Sequence, residues 1–415
     1  MSNKASERLV PKLRFPEFRD SGDWCKTQLH EVALFVNEKV ALENLSPERY
    51  LSTENLLQDF MGMVPSPTRP SAGSATRFKI DDVLISNIRP YLKKVWVAEI
   101  EGGTSNDVIV IRAKKEVTTK YLSHLLKSDL FIEYVMTGAK GVKMPRGDVE
   151  LIKKFIVATP TKPDEQKKIA DCLSSIDNFI TAQIKKIEVL KVHKKGLMQQ
   201  LFPAEGETVP RLRFTEFQSA PEWKEKSLSE ISPVIFDGTH QTPKYTTSGI
   251  PFFSVENLVS GAVNKYISQE SYDFDTRKNK PCKGDILLTR IGKIGYSKLV
   301  DWDYDFAVYV TLAVIAQSES FSSRYLHFYL QSSFYQREIL SKSLLNAVPC
   351  KINMGSLRET KVCLPSDLGE QEKIGVSLAS FDDLIALHTQ KLEVLKANKK
   401  GLMQCLFPST FEGDA

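Results

Sequence analysis

The 415-residue sequence predicts an α+β protein built of two similar α/β domains separated by two long helices. Three observations carry this: the chain is written twice, each copy holds short apolar runs bounded by turn residues, and each copy closes on a long stretch without proline. The duplication comes first. Val10–Phe18 reads VPKLRFPEF and Val209–Phe217 reads VPRLRFTEF, with seven of nine positions identical at an offset of 199 that Trp24 and Trp223 share. KIEVLKVHKKGLMQQLFP (186–203) returns as KLEVLKANKKGLMQCLFP (391–408), with 14 of 18 positions identical at an offset of 205. A period of about 200 residues exceeds the roughly 20–50 of a solenoid unit, so each copy is a domain with an appendage. The expected boundaries are 1–160 for the first domain, 161–203 for the first helix, 204–365 for the second domain, and 366–415 for the second helix and tail.

Inside the domains, VLISNI, VWVAEI, DVIVIRA, DILLTRI and YVTLAVIA read as strands, and YLSHLLKSDLFIEYVM and YLHFYLQSSFYQREIL have helical spacing at matching places. Met63–Thr76, rich in Pro, Ser and Gly, reads as a surface loop. From Asp164 to Phe202 there is no proline and one late glycine, so a single helix is expected, about 50 Å long for about 35 residues. Its apolar positions Ile169, Leu173, Ile176, Ile180, Ile187, Leu190, Leu197 and Leu201 follow mainly three-and-four spacing. Adding 205 gives Ile374, Leu378, Phe381, Ile385, Leu392, Leu395, Leu402 and Leu406, again all apolar. Two matched seams favour a coiled coil of one helix with the other. Acids gather at 164–177 and 370–383, and lysines at 185–195 and 391–400. Antiparallel pairing sets each acidic half against a basic one, although the same charges also suit each helix's own dipole. An antiparallel pair of equivalent helices has an approximate two-fold axis, like the dyad of duplex DNA. Two domains on such a spacer suit two half-sites separated by an unread gap, and their differing interiors imply differing half-sites.

Composition narrows the alternatives. With 42% hydrophobic and 26% charged residues the chain can bury domain-sized cores, and 56 Lys+Arg against 51 Asp+Glu leaves only a mild formal charge of +5. No apolar run suits a membrane span and MSNKASERLV lacks a signal-peptide core, so a soluble cytoplasmic protein is expected. Six scattered cysteines without a C-x-x-C argue against a disulfide framework or a zinc ribbon, and six histidines show no ligand spacing, so no metal is expected. No Asn/Asp-Pro-Pro-aromatic motif, dinucleotide fingerprint or Walker loop is present, so no catalytic residue is assigned. Asp164 through Lys167 contains the letters of a nuclease motif, but adjacent acids there read as a helix start.

The LRFPEF and LRFTEF openings, DGTHQTPKY (237–245) followed by GIPFFSVENL, DILLTRIGKIG (285–295) and the twice-used EQxKI…LExLKxxKKGLMQxLFP helix together resemble the DNA specificity subunits of type I restriction-modification systems. The resemblance spans nearly the whole chain. It implies two target-recognition domains on a pseudo-two-fold antiparallel spacer that reads a bipartite, asymmetric DNA target. The implied partners are double-stranded DNA, two methyltransferase subunits docked on the helices and, in a full complex, restriction or translocation subunits. Adenine methylation would use S-adenosylmethionine held by the methyltransferase, with no cofactor bound directly by this chain. The first domain lacks the DGTHxTPKY opening.

DNA contact calls for Arg and Lys with aromatic or amide neighbours on loops at strand ends, since guanidinium and amide groups read base edges and lysines hold phosphates. In the first domain the candidates are Arg77 and Lys79, Arg89 with Tyr91, Lys93 and Lys94, and Lys143 with Arg146. In the second they are Thr239 and His240 with Lys244 and Tyr245, Arg290 with Lys293, and Lys351 with Asn353. Arg89 and Arg290 are the two expected to read bases. His240 suits a binding role and a plain loop role equally, and Gly292 and Gly295 suit either phosphate approach or a hairpin turn. An enzyme with an unrecognised centre and an adaptor that never meets DNA are the competing classes.

Overall fold

The computed structural model describes residues 10–408; the opening nine residues of the first expected domain and the last seven of the expected tail lie outside the described residues. The chain forms two compact units, one reaching to Gln183 and resuming at Lys391, the other Ile184–Gln390. The units therefore cut across the long helices, where the sequence reading had put boundaries at the helix ends.

The first unit opens with a clasp in which strand Cys25–Gln28 pairs antiparallel with Ile156–Thr159, joining the beginning and end of the domain. Its central sheet is antiparallel throughout, in the order Ala33–Phe35, Val108–Ala113, Val83–Ser86, Val95–Val97. A second four-stranded sheet holds Lys39–Ala41, Ser74–Phe78, Gly102–Thr104 and Tyr50–Leu51. The expected loop 63–76 thus gives its last three residues to a strand, because Ala75 and Thr76 are buried in that sheet. The run 121–136 is two helices, Thr119–Leu126 and Asp129–Thr137, broken where the Ser128 hydroxyl caps the second by accepting from the Phe131 amide.

The second unit repeats this plan. Lys224–Ser227 clasps Lys361–Leu364, and the central sheet runs Ile235–Asp237, Leu312–Ile315, Ile286–Thr289, Ser297–Leu299. Helices Ser323–Gln331 and Ser333–Ser341 are again split by a capping serine, Ser332. Its second sheet has three strands, Tyr266–Ile267, Ile250–Phe253 and Ala307–Val308.

Two helices of 39 residues, Pro163–Leu201 and Leu368–Leu406, follow the domains, and both contribute to both units. None of the sixteen seam residues is exposed; eight are buried and eight half-buried. In the first unit Lys399 pairs with Asp177 at 2.6 Å, while Ile169 and Leu173, earlier in the first helix, share a core with Met403 and Leu406, later in the second. In the second unit Lys194 pairs with Asp382 at 2.7 Å, and Leu201 and Phe202 share a core with Ile374 and Leu378. Ascending one helix descends the other in each unit, so the pairing is antiparallel. The two ion pairs are the same pair, exchanged by the offset of 205.

Each long helix starts from a buried ion pair. Arg14 meets Glu165 through two hydrogen bonds of 2.7 and 2.8 Å, with side chains only 7% and 1% exposed, and the Trp24 indole donates to the same carboxylate at 3.3 Å. Arg213, Glu370 and Trp223 repeat this at 2.7, 2.7 and 3.3 Å. The next residue is equally committed: Gln166 accepts from the Thr118 amide, and Gln371 from the Ser322 amide, capping the helix ahead of it. Glu165 and Glu370 are therefore structural acids. The LRF openings anchor the helices.

Each domain packs one histidine against its interior, His124 buried and His327 half-buried. His124 contacts Ser174 of the first long helix at 3.0 Å, and His327 contacts Ser297 at 3.1 Å. Burial pulls His124 down to about 4, against the pull of Asp177, and His327 to about 3.

Replacing Arg14 by Met is expected to cost about 3–5 kcal/mol, since Glu165 is left buried and unpaired; a urea midpoint within 0.5 M of the parent, roughly 1 kcal/mol at the usual slope, contradicts this. For the histidines, the unfolded state takes up protons below about pH 6.5 that the fold refuses. Stability is expected to fall as pH drops from 6.5 to 4.5, by up to about 1.4 kcal/mol per unit for each histidine. A His124→Gln, His327→Gln variant flattens that stretch of the stability profile, and an unchanged slope excludes the histidines as its cause.

Candidate nucleic-acid interface

The central sheet of each unit ends in a crown of loops held by one set of backbone bonds. In the first unit the Asn87 amide donates to Asp107 at 2.8 Å, Arg89 to Pro145 at 2.7 Å, and Gly147 back to Asn87 at 3.0 Å. In the second, Arg290 donates to Thr311 at 2.9 Å, Gly292 to Cys350 at 2.8 Å, and Ile352 back to Arg290 at 2.9 Å. The five residues of one set map onto those of the other. Isolated bridges repeat the match, Ile88 with Arg146 and Ile291 with Lys351.

In the first unit the frame brings together Arg89, Tyr91, Lys93 and Lys94 on one loop and Lys143 and Arg146 on the next. Arg89 and Lys93 flank the turn Pro90–Leu92, both in left-handed backbone. Tyr91 is 48% exposed. Lys93 is tied to Asp129 at 2.6 Å, Lys94 donates to the Thr53 carbonyl at 2.6 Å, and Arg146 donates to Asp107 at 2.6 Å while staying largely exposed. Lys143 is exposed beside the fully exposed Val142. Arg77 and Lys79 do not join this cluster. Arg77 lies on the second sheet, 3.7 Å from Glu101, and the Lys79 amide donates to Asp82, at the opposite end of strand Val83–Ser86 from Arg89.

In the second unit the DGTH loop leaves the strand ending at Asp237, and Gly238 packs so close to the Val308 carbonyl that a Cβ would lie 1.8 Å from it. Thr239 bridges Tyr309, and His240 reaches back to Asp237 at 3.1 Å with most of its ring exposed. Lys244 is exposed and Tyr245 packs edge-on to Phe252. Lys293 is exposed above the Tyr296 ring, Lys351 is half-buried, and Asn353 is exposed at the start of helix Met354–Arg358. Gly292 and Gly295, at φ 81° and 87°, shape the turn between two strands.

Arg290 departs from the expected role of base reader. Its side chain is 8% exposed and donates to Asp237 at 3.1 Å, to the Val310 carbonyl at 2.8 Å and to the Ile352 carbonyl at 3.3 Å. It ties the three loops of its crown together from inside. Sequence reasoning passed over Asn87, which holds the same place in the first crown. The alignment of DDVLISNIR with GDILLTRIG already sets Asn87 opposite Arg290.

Two duplicated α+β units, each crowning its sheet with cation-bearing loops and each sharing two antiparallel helices, define a tandem nucleic-acid reader. Residues 73–191 and 221–397 match the family model described as type I restriction modification DNA specificity domain, and the chain belongs to that family. It is a type I restriction-modification specificity subunit, whose work is recognition of a DNA target and not catalysis. The type I restriction enzyme MjaVIII specificity subunit of Methanocaldococcus jannaschii is 27% identical over 324 residues, 74% of this chain and 73% of that protein. The crystal structure of the type I restriction-modification S subunit from M. genitalium matches with a TM-score of 0.64 at 16% identity, covering 97% of this chain and all of that one. A second solved structure, from a study of type I complex assembly and conformational transition, gives a TM-score of 0.57 at 18% identity, covering 94% and 98%. Among the described residues no helix is long and apolar enough to cross a membrane.

Arg290→Ala is expected to destabilise the second unit by about 2–4 kcal/mol, because it strands Asp237 and two carbonyls. Hydrogen exchange at Gly292 and Ile352 rises with it. Unchanged stability with lost discrimination in one half-site returns Arg290 to a base-reading role.

Proposed function

We propose that this chain reads a bipartite, asymmetric DNA target, one crown on each half, and uses its paired helices as the ruler for the gap between them. The observation that carries this is the exchanged ion pair, Asp177–Lys399 and Lys194–Asp382, which makes the two helices equivalent partners in opposite directions. Lys143 and Arg146 in one crown and Lys244, Lys293 and Lys351 in the other are suited to hold phosphates, while Tyr91, Thr239, His240, Tyr245 and Asn353 offer flat or amphoteric groups to bases.

In this reading the helices also carry the methyltransferase subunits and, in a full complex, the restriction subunits. S-adenosylmethionine belongs to the methyltransferase, which modifies an adenine in each half after turning it out of the stack. The complex works in the cytoplasm. Methyl transfer by the purified chain alone, without a partner, reverses the assignment.

Removing seven residues at matching positions of both helices shortens the ruler by about 10 Å, or about 3 base pairs. Genome-wide mapping of methylated adenines is expected to give the same two half-sites with a shorter gap. An unchanged gap removes the ruler role.

A further inference from the structure

The two crowns share a frame and part company at its tip. Arg89 and Gly292 stand at the same point, each giving its amide to the opposing loop, each in left-handed backbone at φ 50° and 81°. Glycine takes that conformation freely, whereas for arginine it costs about 1 kcal/mol or more. The fold does not need the arginine, since the second crown closes with bare backbone.

Two polar atoms beside this point are left unpaired within the protein. Arg89 Nε is buried without a hydrogen-bond partner, and so is Oδ1 of Asn87, a residue only 8% exposed. Lys94 lies close enough that, after its own burial, the charge of Arg89 further lowers its pKa, against Glu54. A guanidinium carried on strained backbone, a second cation and an orphaned amide oxygen are thus gathered at one strand end. In the second crown the residue in Asn87's place, Arg290, has its donors satisfied within the protein.

The mixture of donor and acceptor identifies the ligand chemistry. A phosphate accepts only, and would leave Asn87 Oδ1 unmatched. A base edge offers both: a guanidinium meets guanine O6 and N7, and an amide oxygen accepts from an exocyclic amino group. We propose that Arg89 and Asn87 form a base-reading subsite in the first domain that the second lacks, Gly292 and Arg290 standing in its place, so that these positions make the two half-sites differ. The inference rests on the reading of the chain as a two-part DNA reader.

Arg89→Gly, which installs the second domain's residue, tests it in a background freed of backbone strain. The chain, assembled with its methyltransferase subunits, is used to select from a randomised duplex library. The parent is expected to yield a two-part consensus; failure to yield any overturns the DNA-reader function itself. In Arg89→Gly, one G·C pair in one half loses about 10- to 100-fold discrimination while the other half is untouched, and the unfolding temperature holds or rises. Asn87→Ala loses discrimination at the same or the adjacent pair. An unchanged consensus, or an equal loss on every sequence, overturns the subsite and leaves the reader function standing.

Discussion

The bidentate pair of Arg14 with Glu165, and its copy Arg213 with Glu370, is the constraint on which the remaining architecture depends. A buried ion pair is poor evidence of net stability, because desolvation offsets most of its attraction, but it punishes misplacement severely. Two parallel hydrogen bonds fix a guanidinium and a carboxylate in one plane. With Trp24 or Trp223 donating to the same acid, the entrance segment, the domain and the first turn of the long helix assume one relation. The adjacent glutamine then caps the domain's own helix, so the long helix leaves along a direction set by four hydrogen bonds.

That direction matters because the far end of each helix has work in the other unit. Met403, Leu406 and Phe407 complete the core around Ile169 and Leu173, and Leu201 and Phe202 complete the core around Ile374 and Leu378. Neither core is whole without the last turns of the partner helix, so the seam is closed by packing at both ends and needs little from its exposed charges. The ion pairs along it, Asp177–Lys399 and Lys194–Asp382, are partly shielded and serve to choose the antiparallel direction, where like charges would face each other if the helices ran the same way.

The duplication, the helices and their direction were legible because they are periodic: an apolar seam and segregated charges are properties of a linear string. The ion pair at the helix root was less so. Glu165 read only as part of a helix start, although the joint recurrence of Arg14 and Glu165 as Arg213 and Glu370 was a usable signal. The crowns were half legible. Their loops were located by turn residues and cations, but which arginine finds its partners inside the protein depends on the third dimension. Arg290 and Arg89 look alike in the string, two residues apart in alignment, and differ only in that one turns into the crown and the other occupies a glycine's backbone. Arg77 and Lys79 failed to join the cluster because strand Ser74–Phe78 belongs to another sheet, a pairing that no local pattern announces.

On the proposed reading, this division between frame and tip is what lets a duplicated protein take two different half-sites. The crown's three loops are joined through backbone carbonyls, which every residue supplies, and amides, which every residue but proline supplies, so the frame tolerates Arg89 or Gly292, Pro145 or Cys350 as an acceptor, and Gly147 or Ile352 alike. The side chains mounted on it are what differ. Where the second crown draws an arginine inward and satisfies it with Asp237 and two carbonyls, the first leaves an asparagine acceptor open and accepts local strain to hold an arginine beside it. Strain at Arg89 stays local, because its own amide and the Asn87 carbonyl are hydrogen-bonded to the opposing loop. Side chains at the tip can therefore change in one unit without disturbing the backbone frame that carries them.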